Sequence, residues 1–332
     1  MKEKIEKYIR SLGLDTFGFI PMRAFTELRE FYEMRQQKNL QNEFEEKNIE
    51  LRIHPSHYME DGRTILSIAF PYYHTGENVE NGFSIYTKRR DYHNVVQHYL
   101  NQICKFIEGL GGKALGFVDS NTLPERYIAY LGGVGFIGRN NMIITKKYGS
   151  YVFLGEILTD LEFPCQDMRT LEEIKGYTEC GECRACYQEC PSKSINAAKI
   201  NPSICLSYLT QKKELELAEI NLLKDNVFGC DYCQLKCPYN QEVITNVLEE
   251  FATLPEMNEP LTTYSAMDNR YFKEKISQTS CGWRGKNVLR RNAIVQLAKQ
   301  GEEIEQYRGD SPYINKYVDL LQNEQKSSET KS

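Results

Sequence analysis

Cys180-Gly181-Glu182-Cys183-Arg184-Ala185-Cys186-Tyr187-Gln188-Glu189-Cys190-Pro191, answered later by Cys230-Asp231-Tyr232-Cys233-Gln234-Leu235-Lys236-Cys237-Pro238, decides how this chain is organised. The first run has the C-x2-C-x2-C-x3-C-P spacing of two-cluster iron–sulfur proteins. Three thiolates at i, i+3 and i+6 wrap one [4Fe–4S] cubane, and the fourth, before a proline that bends the chain away, serves a second. The second run is the same motif without its first cysteine, because Val227 stands in that place. Crossed sharing assigns Cys180, Cys183, Cys186 and Cys237 to one cluster. The other takes Cys190, Cys230 and Cys233, and is one ligand short. Cys205, just after the turn-like Asn201-Pro202-Ser203, is the candidate for the missing ligand. Cys104, Cys165 and Cys281 lie outside the stretch. A zinc module prefers four ligands built on C-x2-C pairs, and a disulfide framework needs an oxidising compartment. Seven cysteines in two runs, each ending Cys-Pro, favour two [4Fe–4S] clusters.

The chain has 332 residues, a net charge of −5 at pH 7 and eleven cysteines. That length has room for two or three domains. Met1-Lys2-Glu3-Lys4 opens a charged amphipathic helix rather than a signal peptide, and no apolar run approaches membrane-spanning length. The expectation is a cytoplasmic protein with reduced, metal-binding thiols and no membrane partner. The negative charge does not advertise nucleic acid, so any RNA contact must come from a local basic patch.

Residues 2–12 have helical spacing, Phe17–Pro21 reads as a strand, and a polar helical stretch is expected to about Glu50. Thr64–Ala69 is apolar enough for a buried strand. Tyr92–Leu110 reads as a helix, and Ala114–Val118 as a strand that delivers Asp119 at its end, where open α/β sheets place ligand groups. Thr122-Leu123-Pro124-Glu125 reads as a capping box. Two further strands are expected at Met142–Thr145 and Tyr151–Leu158. The predicted architecture is an α/β or α+β domain over residues 1–165, a ferredoxin-like two-cluster domain over 166–250, and a helical region over 251–332 whose tail is disordered from about residue 322.

Gly133-Val134-Gly135-Phe136-Ile137-Gly138 matches G-x-G-x-x-G, but a helix precedes and a strand follows, the reverse of the dinucleotide fingerprint. These glycines are expected to let the backbone pass close to something flat or bulky, with Arg139, Asn140 and Asn141 supplying charge and amides. Asp91-Tyr92-His93 begins like the D-x-H-x-x-G loop of some corrinoid enzymes, but Val96 replaces its glycine, which argues against cobalt ligation by His93. His54 and His57 flank Pro55 and read as surface residues. Asp119 is either a cap or, buried beside a cofactor with a raised pKa, a proton donor.

Taken together these stretches resemble the epoxyqueuosine reductases, cobalamin-dependent iron–sulfur enzymes that complete queuosine in tRNA. The matching pieces include Ser67-Ile68-Ala69-Phe70-Pro71-Tyr72, Asp91-Tyr92-His93, Phe117-Val118-Asp119, Pro124-Glu125-Arg126 and the Gly133–Asn140 loop. Leu154-Gly155-Glu156-Ile157, both cysteine runs, Cys205-Leu206-Ser207-Tyr208-Leu209-Thr210, Trp283-Arg284-Gly285-Lys286 and Arg291-Asn292-Ala293 complete the set. The resemblance implies a cobalamin-binding fold shared with reductive dehalogenases, base-off cobalamin, Asp119 as proton donor and Cys205 as the remote cluster ligand. Cobalamin contacts fall on Arg52, Asp119, Arg139, Asn141, Ile143, Ile144, Thr145 and Leu154. Many members continue into HEAT-like helical repeats, of which only a remnant follows Trp283 here.

The implied substrate is a tRNA anticodon stem-loop carrying epoxyqueuosine, with Arg284, Lys286, Arg290 and Arg291 holding phosphates. The implied electron source is an external low-potential donor, and a monomer is expected. Two other functions fit parts of the pattern. A cobalamin-dependent reductase of a small organohalide or epoxide would use the same centre. A ferredoxin-like carrier would leave the first 160 or so residues without a role.

Overall fold

Thr64–Pro71 is apolar at most positions, and in the computed structural model it forms strand β2, buried along its whole length. The structure describes all residues except 75, 77–79, 166–168, 199, 246–247 and 330–332, and describes residues 327–329 by backbone only. β2 lies inside a four-stranded sheet of order β1-β2-β6-β3, with β1 at Phe17–Pro21, β3 at Ala114–Phe117 and β6 at Val152–Thr159. All three pairings are antiparallel. Of the two classes the sequence allowed, the sheet is therefore the α+β kind, and the strand-end rule of parallel sheets does not account for the place of Asp119.

Side chains alternate across the pleat. Leu66, Ile68 and Phe70 of β2 and Ile157 of β6 face Ile5, Ile9, Val96, Leu100 and Ile103 on the Lys2–Ser11 and Tyr92–Gly109 helices. Ile65, Ala69 and Leu158 face the other way, onto Tyr127, Ile128 and Leu131 of the Glu125–Leu131 helix. That helix ends against β1 backbone to backbone: a Cβ on Gly18 would stand 1.8 Å from the Gly132 carbonyl oxygen. A two-residue pair, β4 (Phe136–Ile137) with β5 (Ile143–Ile144), forms a separate ribbon.

Three local expectations are corrected. The polar stretch to Glu50 is not one helix. It stops at Gln37, Asn39 takes φ 52, and Asn48 caps a new helix at Ile49–Ile53 by accepting from Glu50 N. The capping box at Thr122–Glu125 does not form, because Thr122 Oγ1 donates to Leu51 O at 2.9 Å while Glu125 turns inward to accept from Asn121 Nδ2 at 2.6 Å. The tail does not fray at Gln322: the Pro312–Glu329 helix continues, held by Asn221 Nδ2 on Glu324 at 3.0 Å and Gln325 Nε2 on Ala298 O at 3.2 Å.

The cysteine stretch carries short helices at Ala185–Glu189, Leu206–Leu209 and Tyr232–Leu235. Leu206, Leu209, Leu215 and Ile220 share one core with Ile294, Leu297, Tyr317 and Leu321 of the last two helices. Polar side chains tie the stretch to the sheet domain as well. Ser150 Oγ meets Gln234 Oε1 at 2.9 Å, and Asp231 accepts from Ser84 Oγ at 2.7 Å and Ile85 N at 2.8 Å. Among the described residues, no helix is long and apolar enough to cross a membrane.

Candidate functional site

Asp91 caps the Tyr92–Gly109 helix by accepting from His93 N at 3.1 Å. This cap aims Tyr92 and His93 at the loop beyond β3. There Tyr92 OH donates to Asp119 Oδ2 at 2.8 Å, and His93 Nε2 lies 3.1 Å from the same oxygen. His93 Nδ1 lies 2.8 Å from Asp91 Oδ1, so each ring nitrogen meets a carboxylate. Tyr92 is fixed in turn by stacking on Phe153, ring centroids 4.3 Å apart.

Burial disfavours the charged imidazole, but hydrogen bonds to Asp119 and Asp91 outweigh it and push His93 up to about 9. Burial would raise Asp119, yet hydrogen bonds from His93 and Tyr92 hold it below its ordinary value. In the chain by itself Asp119 is lowered, and at neutral pH the proton of this pair rests on His93; the raised value was expected for Asp119 beside a bound cofactor. The Asp119 side chain is 57% exposed although burial is the largest influence on its ionisation. Both hold for a carboxylate lining a recess that is walled by protein and open to solvent.

Behind Asp119 lies a carboxyl pair that spacing alone did not reveal. Glu156 of β6 is fully buried and accepts from Ser67 Oγ at 3.1 Å. It also meets the Glu125 carboxyl, so the two share a proton, and burial raises both, Glu125 to about 7. The signal in the sequence was a single charged residue within an otherwise uncharged strand.

The expected cofactor contacts separate into groups. Arg52 stacks over Tyr32, 4.0 Å from the ring centroid, and pairs with Glu45 at 3.5 Å. Asn141, at φ 61, offers its carbonyl to Arg126 Nη1 at 2.5 Å, and Arg126 acts on both Asp119 and Tyr32. Ile143, Ile144 and Thr145 are buried, with Thr145 Oγ1 accepting from Tyr148 N at 2.9 Å, so their side chains serve the fold. Leu154 is half-buried against the same core as the Glu125–Leu131 helix. Arg139 is turned away, to Gly181 O at 2.8 Å and the Tyr177 ring, and so ties the glycine loop to the first cysteine run. Gly135 and Gly138 there approach β5, a Cβ on Gly135 standing 2.4 Å from Ile144 O, whereas Gly133 has open space beside it. A groove of about 440 Å³ lined by Tyr58, Met59, Asp61, Lys113 and Leu115 contains none of the expected site residues.

All eleven cysteines are free thiols. Cys186 has Cys180, Cys183 and Cys237 as electrostatic neighbours, Cys230 has Cys205 and Cys190, and Cys233 has Cys230 and Cys205 but also Cys186. The thiols therefore form two adjoining neighbourhoods, with which the crossed assignment is compatible. Among the described residues, no three His, Cys, Asp or Glu converge as a single-ion site.

The expected basic patch does not form. Arg291 is fully buried, donating to Lys212 O, Lys213 O and Tyr313 OH at 2.8–2.9 Å. Arg290 is half-buried on Ser265 O and Tyr307 O, and Lys286 donates to Asn269 Oδ1 at 2.7 Å. Helical spacing showed the charges but not the carbonyls waiting for them. Arg291→Met is therefore expected to lower stability by about 3 kcal/mol, since charged hydrogen bonds contribute about 1.5–3 kcal/mol each. Chemical denaturation measures this, and an unchanged midpoint would contradict the buried role. Arg284 lies between the Trp283 and Phe44 rings, 4.7 and 5.3 Å from their centroids, and Trp283 is 54% exposed.

Residues 179–240 match the model of a 4Fe-4S double cluster binding domain, and residues 52–120 match that of "Epoxyqueuosine reductase QueG, DUF1730". The epoxyqueuosine reductase of Listeria monocytogenes is 32% identical over 98% of this chain and 85% of its own. A solved epoxyqueuosine reductase with a tRNA-Tyr epoxyqueuosine-modified stem loop is 28% identical, TM-score 0.87, covering 96% of this chain and 88% of that one. A Bacillus subtilis structure whose catalytic aspartate loop is swung out of the active site has a TM-score of 0.85 at 28% identity, over 96% of this chain and 89% of that one. With the cysteine groups and the Asp119 recess already placed, these likenesses over nearly the whole length establish that the chain belongs to the epoxyqueuosine reductase family.

Proposed function

We propose that this chain reduces epoxyqueuosine to queuosine at the wobble position of tRNA, using cobalamin and two [4Fe–4S] clusters. The observation that carries the reading is the His93–Asp119 pair, which holds one proton at the mouth of a recess in a domain tied to the cysteine stretch. Removing an epoxide oxygen as water consumes two electrons and two protons and leaves a double bond. Side chains cannot supply low-potential electrons, so bound groups must. The corrinoid, when bound, supplies reduction at the epoxide carbon, fed singly by clusters whose potentials across proteins span about −700 to +450 mV.

What the chain's own residues do follows from their geometry. Arg126, which acts on Asp119, and Arg52 beside it at Tyr32 would supply donors to the carboxamides and phosphate of a corrinoid, and the half-buried Leu154 would supply apolar contact. As negative charge develops on the departing oxygen, the proton shared between His93 Nε2 and Asp119 Oδ2 moves onto the carboxyl and then to that oxygen. Tyr92 OH and Arg126 keep the carboxylate oriented and ionised between turnovers. Cys180, Cys183, Cys186 and Cys237 ligate one cluster, and Cys190, Cys205, Cys230 and Cys233 the other.

The wobble nucleotide must leave its stack to reach the recess. The exposed Trp283 face, backed by Arg284 and Phe44, is a surface on which an unstacked loop base can rest. We read residues 1–165 as the corrinoid domain, 166–250 as the ferredoxin-like domain, and the last two helices as a HEAT-like remnant, in a cytoplasmic monomer fed by an external low-potential donor. The test is to supply anaerobically reconstituted chain, with cobalamin and a chemical reductant, with an epoxyqueuosine stem-loop. Conversion to queuosine is expected. Reduction of a small epoxide or organohalide, with the stem-loop left untouched, would overturn the substrate.

A further inference from the structure

Glu156 is the single charged residue of β6, and the sheet register sets it opposite Ser67 and Phe117 under the Glu125–Leu131 helix. Its Oε1 has Ser67 as a donor, whereas its Oε2 is buried with no conventional donor. That oxygen is accounted for by the Glu125 carboxyl, since two carboxyl groups in contact must hold a proton between them. Glu125 also accepts from Asn121 Nδ2 at 2.6 Å, and the Asp119 backbone N–H is near enough to favour its charged form.

The loop so gripped is strained. Asp119 has φ 50, in the left-handed region that side chains rarely enter. It lies between two contacts of only three residues each, Ser120 N to Val118 O at 2.6 Å and Asn121 N to Asp119 O at 2.7 Å. Such a conformation persists only while surrounding contacts over-determine it. Glu125 holds the loop from behind through Asn121, while His93 and Tyr92 hold the side chain from the front.

We propose that Glu125 is a positioning residue that latches the Asp119 loop against His93, and that the proton it shares with Glu156 sets the latch. With Glu156 as the neutral acid and Glu125 as the carboxylate, Glu125 accepts from Glu156 O–H and Asn121 Nδ2–H and faces the Asp119 N–H. A proton added to Glu125 removes an acceptor and leaves an O–H where donors already crowd, so the loop is released. The charges and polar groups facing Glu125 are Asp119, Arg126, Tyr92 and Glu156, and the partner facing Glu156 is Ser67. Burial, then the Asp119 charge, raises Glu125 to about 7. The latch is therefore closed above that pH and opens as pH falls through it. His93 loses its proton in the opposite direction, near 9. Productive geometry and an available proton coexist between the two.

This inference rests on the proposed chemistry for its purpose but not for its test. Hydrogen exchange of the amides of residues 118–121, corrected for intrinsic rates, is measured on the full cluster-loaded chain at pH 6 and pH 8. Wild type is expected to exchange about 10-fold faster at pH 6, the signature of local opening. Glu125→Gln should exchange fast at both values. Glu156→Gln, which keeps a donor toward Glu125 without a removable proton, should stay protected at pH 8. Equal wild-type protection at both pH values, or a Glu125→Gln loop as protected as wild type at pH 8, would overturn the latch. So would single-turnover rates that show no decline below pH 7 while the loop opens. The expected exchange pattern in a chain that leaves epoxyqueuosine untouched would support the latch and count against the substrate.

Discussion

Asp119→Asn should lose roughly 100-fold or more of its turnover, the lower range for removing a positioned proton donor, while retaining its iron and its folded stability. The substitution suits the site because asparagine tolerates positive φ at least as well as aspartate does, so the loop at φ 50 need not rearrange. What changes is the proton. An amide cannot carry one to the departing oxygen, and His93 loses one of its two carboxylate partners. His93 is raised to about 9 in the wild type, so its proton is fully held at neutral pH and lost as pH rises through about 9. In the variant, with Asp91 alone, the alkaline decline of any residual rate should move toward the ordinary histidine range near 6.5. Single-turnover rates from pH 6 to 10, with iron content as the control, measure both effects. A rate within about 3-fold of wild type would remove Asp119 from the proton path.

Cys205→Ser should cut iron from about eight to about four atoms per chain, the difference being one whole [4Fe–4S] unit. Cys205 lies among Cys190, Cys230 and Cys233, so its loss strikes only that group. Cys180, Cys183, Cys186 and Cys237 keep each other as neighbours and should retain their cluster. A serine hydroxyl is a hard, weakly acidic ligand and a poor substitute for thiolate toward iron and sulfide. Reductive turnover should fall with the lost cluster, since one step of the electron relay is missing. Iron and sulfide analysis beside the spectrum of the reduced protein decides the matter. An unchanged iron content would show that another residue completes the second group.

The cysteine arrangement was legible because each motif is local, its ligands falling at fixed offsets along the chain. Val227 in place of a cysteine left the second group one ligand short, the place for which Cys205 is the candidate. The strands were legible for a similar reason, since Thr64–Pro71 and Val152–Thr159 are mostly apolar runs, broken inside only by Ser67 in the first and by Gly155 and Glu156 in the second. Their antiparallel order was not, because pairing across distant segments leaves no periodicity in either strand. Asp119 could be singled out from its position after a strand, but not its ionisation. That depends on Asp91 capping the helix that carries His93, and on where this helix lies across the sheet. Arg291 failed for the converse reason. It reads as one more charge on a basic helix, and only the folded chain brings the Lys212 and Lys213 carbonyls to it. Buried polar groups are legible only once both partners are in place.

Asp231 has a consequence for how the protein matures. It stands between Cys230 and Cys233, yet its buried carboxylate is committed to Ser84 Oγ and Ile85 N in the neighbouring domain. A turn pinned in this way cannot swing outward to meet an iron–sulfur donor without surrendering both bonds. Metallation and docking of the two halves are thus steps of one assembly line, and a chain that closes before it is loaded must partly reopen. Depriving cells of iron while the protein is made should accordingly yield molecules that accept clusters slowly, even when their cysteines are intact and reduced.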